Sequence, residues 1–144
     1  MAIRFAEAVW KGNLQEGNGT LRLGTGLFEG SYTFRSRFTE GPGTNPEELL
    51  AAAEAGCFTM AFSNELSKAG FTPTQVKTHA DVLMETVNNQ ATITKIQLST
   101  EAQVPGIDEN RFQEIGEGAK KNCPISRALN SGIQVILNAR LVKA

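Results

Sequence analysis

The chain is 144 residues long and carries 14 Lys and Arg against 15 Asp and Glu, a formal net charge of −1, with 40% hydrophobic and 20% charged residues. These proportions suit one globular domain spanning residues 1–144, and no surplus of Lys and Arg exists to release counterions from nucleic acid. Met1-Ala2-Ile3-Arg4 lacks the apolar core of a signal peptide, and the longest apolar run is too short for a bilayer and holds Glu54, so the expectation is a soluble cytoplasmic protein with no membrane partner and with thiols kept reduced.

The first forty residues read as β structure, with strands over Ile3–Trp10, Gly19–Leu23 and Ser31–Phe38 separated by turns at Gly12, Gly17, Gly24, Gly26 and Gly30. In the third, Tyr32, Phe34 and Phe38 alternate with Thr33, Arg35 and Arg37, which puts both arginines off the aromatic face. Gly41-Pro42-Gly43 breaks the pattern. Asn45 then suits an N-cap, Pro46 the first helical position and Glu48 the far end of a capping box. The helix is predicted to run to about Ala69, with Gly70 as its stop. Its centre, Leu49–Phe62, is apolar almost all round and rich in Ala, which calls for cover on several sides. A chain this small cannot supply all of that cover, so a homodimer with this helix near the interface is expected.

Two strands follow, Gln75–Val87 and Ala91–Val104, joined at Asn88-Asn89-Gln90. Asp108 caps a helix through about Lys121, a short helix starts near Pro124 and ends by Gly132, and Ile133–Val142 forms a final strand. The order βββ–α–ββ–αα–β is α+β with antiparallel sheet around a long buried helix.

Two cysteines, Cys57 and Cys123, are the candidates for chemistry. A cysteine attacks as thiolate, and its surroundings set how much thiolate exists. By local setting Cys123 is the better placed, following Lys120 and Lys121 at a helix start. Cys57 sits mid-helix, where burial disfavours the charged form, and in an Ala-rich helix it also reads as a small core residue. For Cys57 to react, a cation must come from elsewhere. Arg35 and Arg37 are the candidates, and a carboxylate such as Glu47 suits bidentate orientation of a guanidinium. His79, the sole histidine, reads as a surface or edge residue, and no short zinc-ligand spacing, phosphate loop or dinucleotide fingerprint occurs. No metal or bound cofactor is expected.

The stretch Arg37-Phe38-Thr39-Glu40-Gly41-Pro42-Gly43-Thr44-Asn45-Pro46-Glu47-Glu48-Leu49-Leu50, followed by Ala51-Ala52-Ala53-Glu54-Ala55-Gly56-Cys57, closely resembles the OsmC branch of the OsmC/Ohr family. Gly70-Phe71-Thr72-Pro73-Thr74, Val104-Pro105-Gly106-Ile107 and Cys123-Pro124-Ile125-Ser126 extend that resemblance in order along nearly the whole chain.

The resemblance implies an intertwined homodimer that works as a cysteine-based peroxidase of organic hydroperoxides, and the apolar neighbours Leu50, Phe58, Met60 and Phe62 lead to the expectation that hydrogen peroxide is reduced less well. It assigns Cys57 as the peroxidatic cysteine and Cys123 as the resolving one, which reverses the local ranking of the thiols. It selects Arg37 as the activating arginine and Glu47 as the carboxylate that holds it. It also implies an external dithiol reductant of lipoyl type, free or on a lipoylated protein. Two other classes are weighed beside this one: a non-catalytic redox sensor, and a small-ligand-binding stress protein whose thiols are bystanders.

Overall fold

Three glycine-punctuated segments at the start of the chain pair as an antiparallel sheet in the order β1-β2-β3, with β1 at Ala6–Lys11, β2 at Asn18–Leu23 and β3 at Glu29–Thr33. In this computed structural model, residues 1–130 and 132–143 are described. The chain is α+β and forms two compact units, Met1–Leu49 and Leu50 onward.

In the first unit, the predicted strand over Ser31–Phe38 is corrected. β3 ends at Thr33 and a short helix, α1, spans Phe34–Phe38. The reason is a capping box: Thr33 Oγ1 accepts from the Ser36 N–H at 3.2 Å, and Ser36 Oγ accepts from the Thr33 N–H at 2.9 Å. Phe34 and Phe38 are four residues apart, a spacing that fits one helical face as well as one strand face, and their ring centroids lie 4.9 Å apart. The buried Ser36 hydroxyl also donates to the Thr44 carbonyl at 2.8 Å. At Gly43 the backbone adopts a φ of 111°, and a Cβ there would lie 2.6 Å from the Ser31 carbonyl oxygen, so only glycine fits this approach.

Helix α2 covers Pro46–Lys68, as expected. Asn45 Oδ1 accepts from the Glu48 N–H at 2.7 Å, but the Glu48 carboxylate takes the Thr44 hydroxyl at 2.7 Å and not the Asn45 N–H, so only half of the expected capping box forms. The helix ends where Phe71 N–H bonds back to the Leu66 carbonyl at 2.9 Å across Gly70, whose φ is 91°. Expected cover on several sides is met by this chain on one side only. Glu54, Phe58, Phe62 and Leu66, each four residues apart, form the buried stripe, whereas Ala52, Ala53, Gly56 and Met60 are exposed.

The second unit is built on a sheet of order β4-β5-β6, with β4 at Gln75–Val87, β5 at Gln90–Gln103 and β6 at Gln134–Leu141. Asn88 and Asn89 both take positive φ, 50° and 62°, which is what a two-residue hairpin turn of this twist requires. β4 and β5 pair antiparallel, as expected, and β6 makes the sheet mixed by pairing parallel to β5 from Lys95↔Gln134 to Ala102↔Leu141. Helices α3 (Glu109–Asn122) and α4 (Pro124–Leu129) lie between these strands. They return the chain to the starting end of β5, the crossover that parallel neighbours need.

The core of this unit joins Phe58, Phe62 and Leu66 of α2 to Ile96, Leu98 and Ala102 of β5, Phe112, Ile115 and Ala119 of α3, and Cys123. Stacked hydroxyls complement this packing: Thr59 to Thr78 and Thr78 to Thr100, each at 2.8 Å, tie α2 to β4 and β5.

Candidate active site

Cys123 terminates α3 and opens α4, with Pro124 as the first residue of the new helix. Its side chain makes no capping bond to the helix it opens. Fully buried, its Sγ lies 2.8 Å from Cys57 Sγ. Both residues are free thiols, and Cys57 is half-buried. The fold therefore brings together two cysteines that lie 66 residues apart in the chain.

Burial pushes the Cys57 thiol up to about 11; the hydrogen bond it shares with Cys123 and the charge of Glu54 push the same way, and the Ile125 backbone N–H opposes them. The direction is the one expected for a mid-helix cysteine, which gains nothing from the helix dipole and whose burial disfavours the charged form.

In the first unit, Arg37 and Glu47 form an ion pair. Arg37 Nη2 donates to Glu47 Oε1 at 2.8 Å, and Nε donates to Oε1 at 3.1 Å and to Oε2 at 3.3 Å. The carboxylate sits in the first turn of α2 and is mostly buried, with 11% of its side chain exposed against 36% for the arginine. Arg37 also lies 5.2 Å from the centroid of the Phe38 ring. These contacts fix the plane of the guanidinium, since two of its three nitrogens are held by one carboxylate. Arg37 lies on the wall of a cavity of about 390 Å3 formed with Trp10, Leu14, Tyr32, Phe34 and Phe38. Arg35 sits on the same short helix and is not among the residues of that wall.

Sequence reasoning missed a second contact beside the thiols. Glu54, one turn before Cys57, is fully buried and accepts a hydrogen bond from Ser126 Oγ, one turn after Cys123. A lone carboxylate inside Leu49–Phe62 was a visible signal, though it carries no information about its partner. His79 is exposed and bonds to Asp81 Oδ1 at 3.0 Å. Among the described residues, no group of three or more His, Cys, Asp and Glu is placed to hold a metal ion. No described helix is long and apolar enough to cross a membrane.

An α+β fold that sets two free thiols in contact between a long helix and the start of a short one defines a dithiol protein. The chain belongs to the OsmC family, as the profile of the OsmC-like proteins matches residues 39–138. A peroxiredoxin OsmC of Escherichia coli (strain K12) is 45% identical over 128 residues, covering 88% of this chain and 90% of that protein. An organic hydroperoxide resistance protein-like 1 of Staphylococcus saprophyticus is 31% identical over 101 residues, covering 69% of this chain and 71% of that one. In fold, the chain is similar to an OsmC like protein from Mycoplasma pneumoniae, with a TM-score of 0.76, 18% identity and coverage of 98% of both chains.

Proposed function

We propose that this protein is a cysteine-based peroxidase of organic hydroperoxides. The observation that carries the reading is the 2.8 Å approach of the Cys57 and Cys123 sulfurs, with one thiol half-open and the other fully buried. The relatives named as a peroxiredoxin and as an organic hydroperoxide resistance protein support it.

In the proposed cycle, the Cys57 thiolate attacks the outer oxygen of the hydroperoxide. The O–O bond breaks, the alkoxide takes a proton to leave as alcohol, and Cys57 becomes a sulfenic acid. Cys123 then attacks the sulfenic sulfur, an S–S bond forms, and the hydroxyl departs with the thiol proton as water. An external dithiol of lipoyl type reduces the disulfide through a mixed disulfide, regenerating both thiols and leaving as its own cyclic disulfide.

Arg37, held in plane by Glu47, is the proposed cation for the Cys57 thiolate and for the charge that develops on the leaving oxygen. Two facts favour it over Arg35: its bonds to Glu47 and its position on an aromatic-lined cavity. Trp10, Leu14, Tyr32, Phe34 and Phe38 offer apolar contact to an alkyl or aryl tail, which hydrogen peroxide lacks. The working form is proposed to be a homodimer, because the Ala52, Ala53, Gly56 and Met60 face of α2 lies open in the single chain.

The test is turnover of tert-butyl hydroperoxide with a dithiol reductant. Cys57→Ser abolishes consumption on this reading, and Cys123→Ser accumulates a trappable sulfenic acid. Equal activity in the two variants sinks it, and a single stoichiometric oxidation without sustained consumption makes the chain a redox sensor instead.

A further inference from the structure

Among the described residues, Glu54 is the only charged side chain that is fully buried. One oxygen, Oε1, accepts from the Ser126 hydroxyl, while Oε2 is buried without a partner among the described residues. A carboxyl with an unsatisfied oxygen costs more in a core than an apolar residue of similar volume would. Packing alone does not account for it.

Its location does. Glu54 lies one turn before Cys57 on α2, and Ser126 one turn after Cys123 on α4, so the same two helices meet twice: sulfur against sulfur, and carboxyl against hydroxyl. Helix α4 has six residues and no side-chain bond at its N-cap, so its first turn depends on anchors outside itself. The charge of Glu54 acts against a Cys57 thiolate, so Glu54 does not assist attack on the peroxide. The step it can serve is the next one.

We propose that Glu54 and Ser126 are positioning residues, a clamp that seats α4 and aims Cys123 Sγ at the oxidised Cys57 for disulfide closure. The proposal rests on the peroxidase reading above. Closure joins the two sulfurs, breaks the sulfenic S–O bond and releases water, with the proton supplied by the Cys123 thiol. A second hydroperoxide competes for the same sulfenic acid and carries it to sulfinic acid, which the dithiol does not restore. The clamp therefore sets the division between recycling and irreversible loss.

The experiment is a single turnover of reduced full-length protein with tert-butyl hydroperoxide. Samples are quenched with an alkylating reagent, and sulfenic, disulfide and sulfinic forms are resolved by mass. Ser126→Ala and Glu54→Leu are expected to consume hydroperoxide but to close the disulfide about ten- to a hundredfold more slowly, the scale of a small misplacement of a reacting atom. Both should accumulate sulfinic acid when hydroperoxide is in excess. Glu54→Gln, whose amide oxygen accepts the same bond, is expected to close within about fivefold of wild type, the difference between a charge-assisted and a neutral hydrogen bond. Ser126→Ala closing at the wild-type rate overturns the clamp, as does Glu54→Gln closing as slowly as Glu54→Leu. Wild-type protein that consumes hydroperoxide without forming a disulfide overturns the underlying reading instead.

Discussion

Cys57 has the arrangement of a nucleophile with one component yet to be supplied. The Cys123 thiol is in contact with it and the Ile125 N–H faces it, yet burial pushes its pKa up to about 11. A thiol ionises as pH rises, so a group with this pKa is almost wholly protonated at neutral pH, and a nearby guanidinium moves the curve to lower pH by favouring the anion. If Arg37 is that cation in the working protein, the pH profile of Cys57 alkylation in Arg37→Ala should lie about one to three units above that of wild type, the usual effect of removing an opposite charge. Arg35→Ala should titrate like wild type, and coincident curves for wild type and Arg37→Ala would remove Arg37 from the mechanism. The two cysteines were legible from residue type alone. The choice between Arg35 and Arg37 was not, because a two-residue spacing puts both on one face of a strand and their true setting is a helix. Glu54 was legible as an oddity, but its meeting with Ser126 depends on how two distant helices pack.

The clearest lesson about elements is the junction of β3 and α1. Tyr32, Phe34 and Phe38 satisfy both a strand and a helical spacing, and what decides between them is Thr33 and Ser36 exchanging bonds at the helix start. Where periodicity was long and capping chemistry explicit, the reading held, as with α2 between Asn45 and Gly70. It placed β6 but not its partner's direction, which depends on the path of two intervening helices and leaves no mark in the strand's own residues. Ser36 supports α1 through Thr33 and holds the approach to α2 through the Thr44 carbonyl. Ser36→Ala should therefore cost about 1 kcal/mol, the worth of a helix cap, measured by chemical denaturation. It should also slow the peroxide step more than disulfide closure, since it disturbs the helix that carries Arg37 and leaves the thiol pair intact. Slowing of closure alone would contradict the proposed division of labour.

Assembly offers the sharpest test of why α2 is apolar on a face the chain leaves open. Met60 is 77% exposed, and a Cβ added to Gly56 would meet nothing within 4 Å. Within one chain, then, Gly56 is a helix-interior glycine with no steric reason to be glycine, and replacing it should stabilise the helix by up to about 1 kcal/mol. A second copy packed on Ala52, Ala53, Gly56 and Met60 supplies the missing reason, since small residues let two backbones approach closely. The two cases predict opposite outcomes for Gly56→Leu. If the face is free, the variant keeps the oligomeric state and melts at the same temperature or higher. If the proposed homodimer uses it, the added side chain pushes the copies apart, so sedimentation should report a shift toward monomer. Loss of hydroperoxide turnover should accompany that shift, while disulfide closure between Cys57 and Cys123 of the same chain persists after chemical oxidation. An unchanged dimer with normal turnover would move the interface to another face of the molecule.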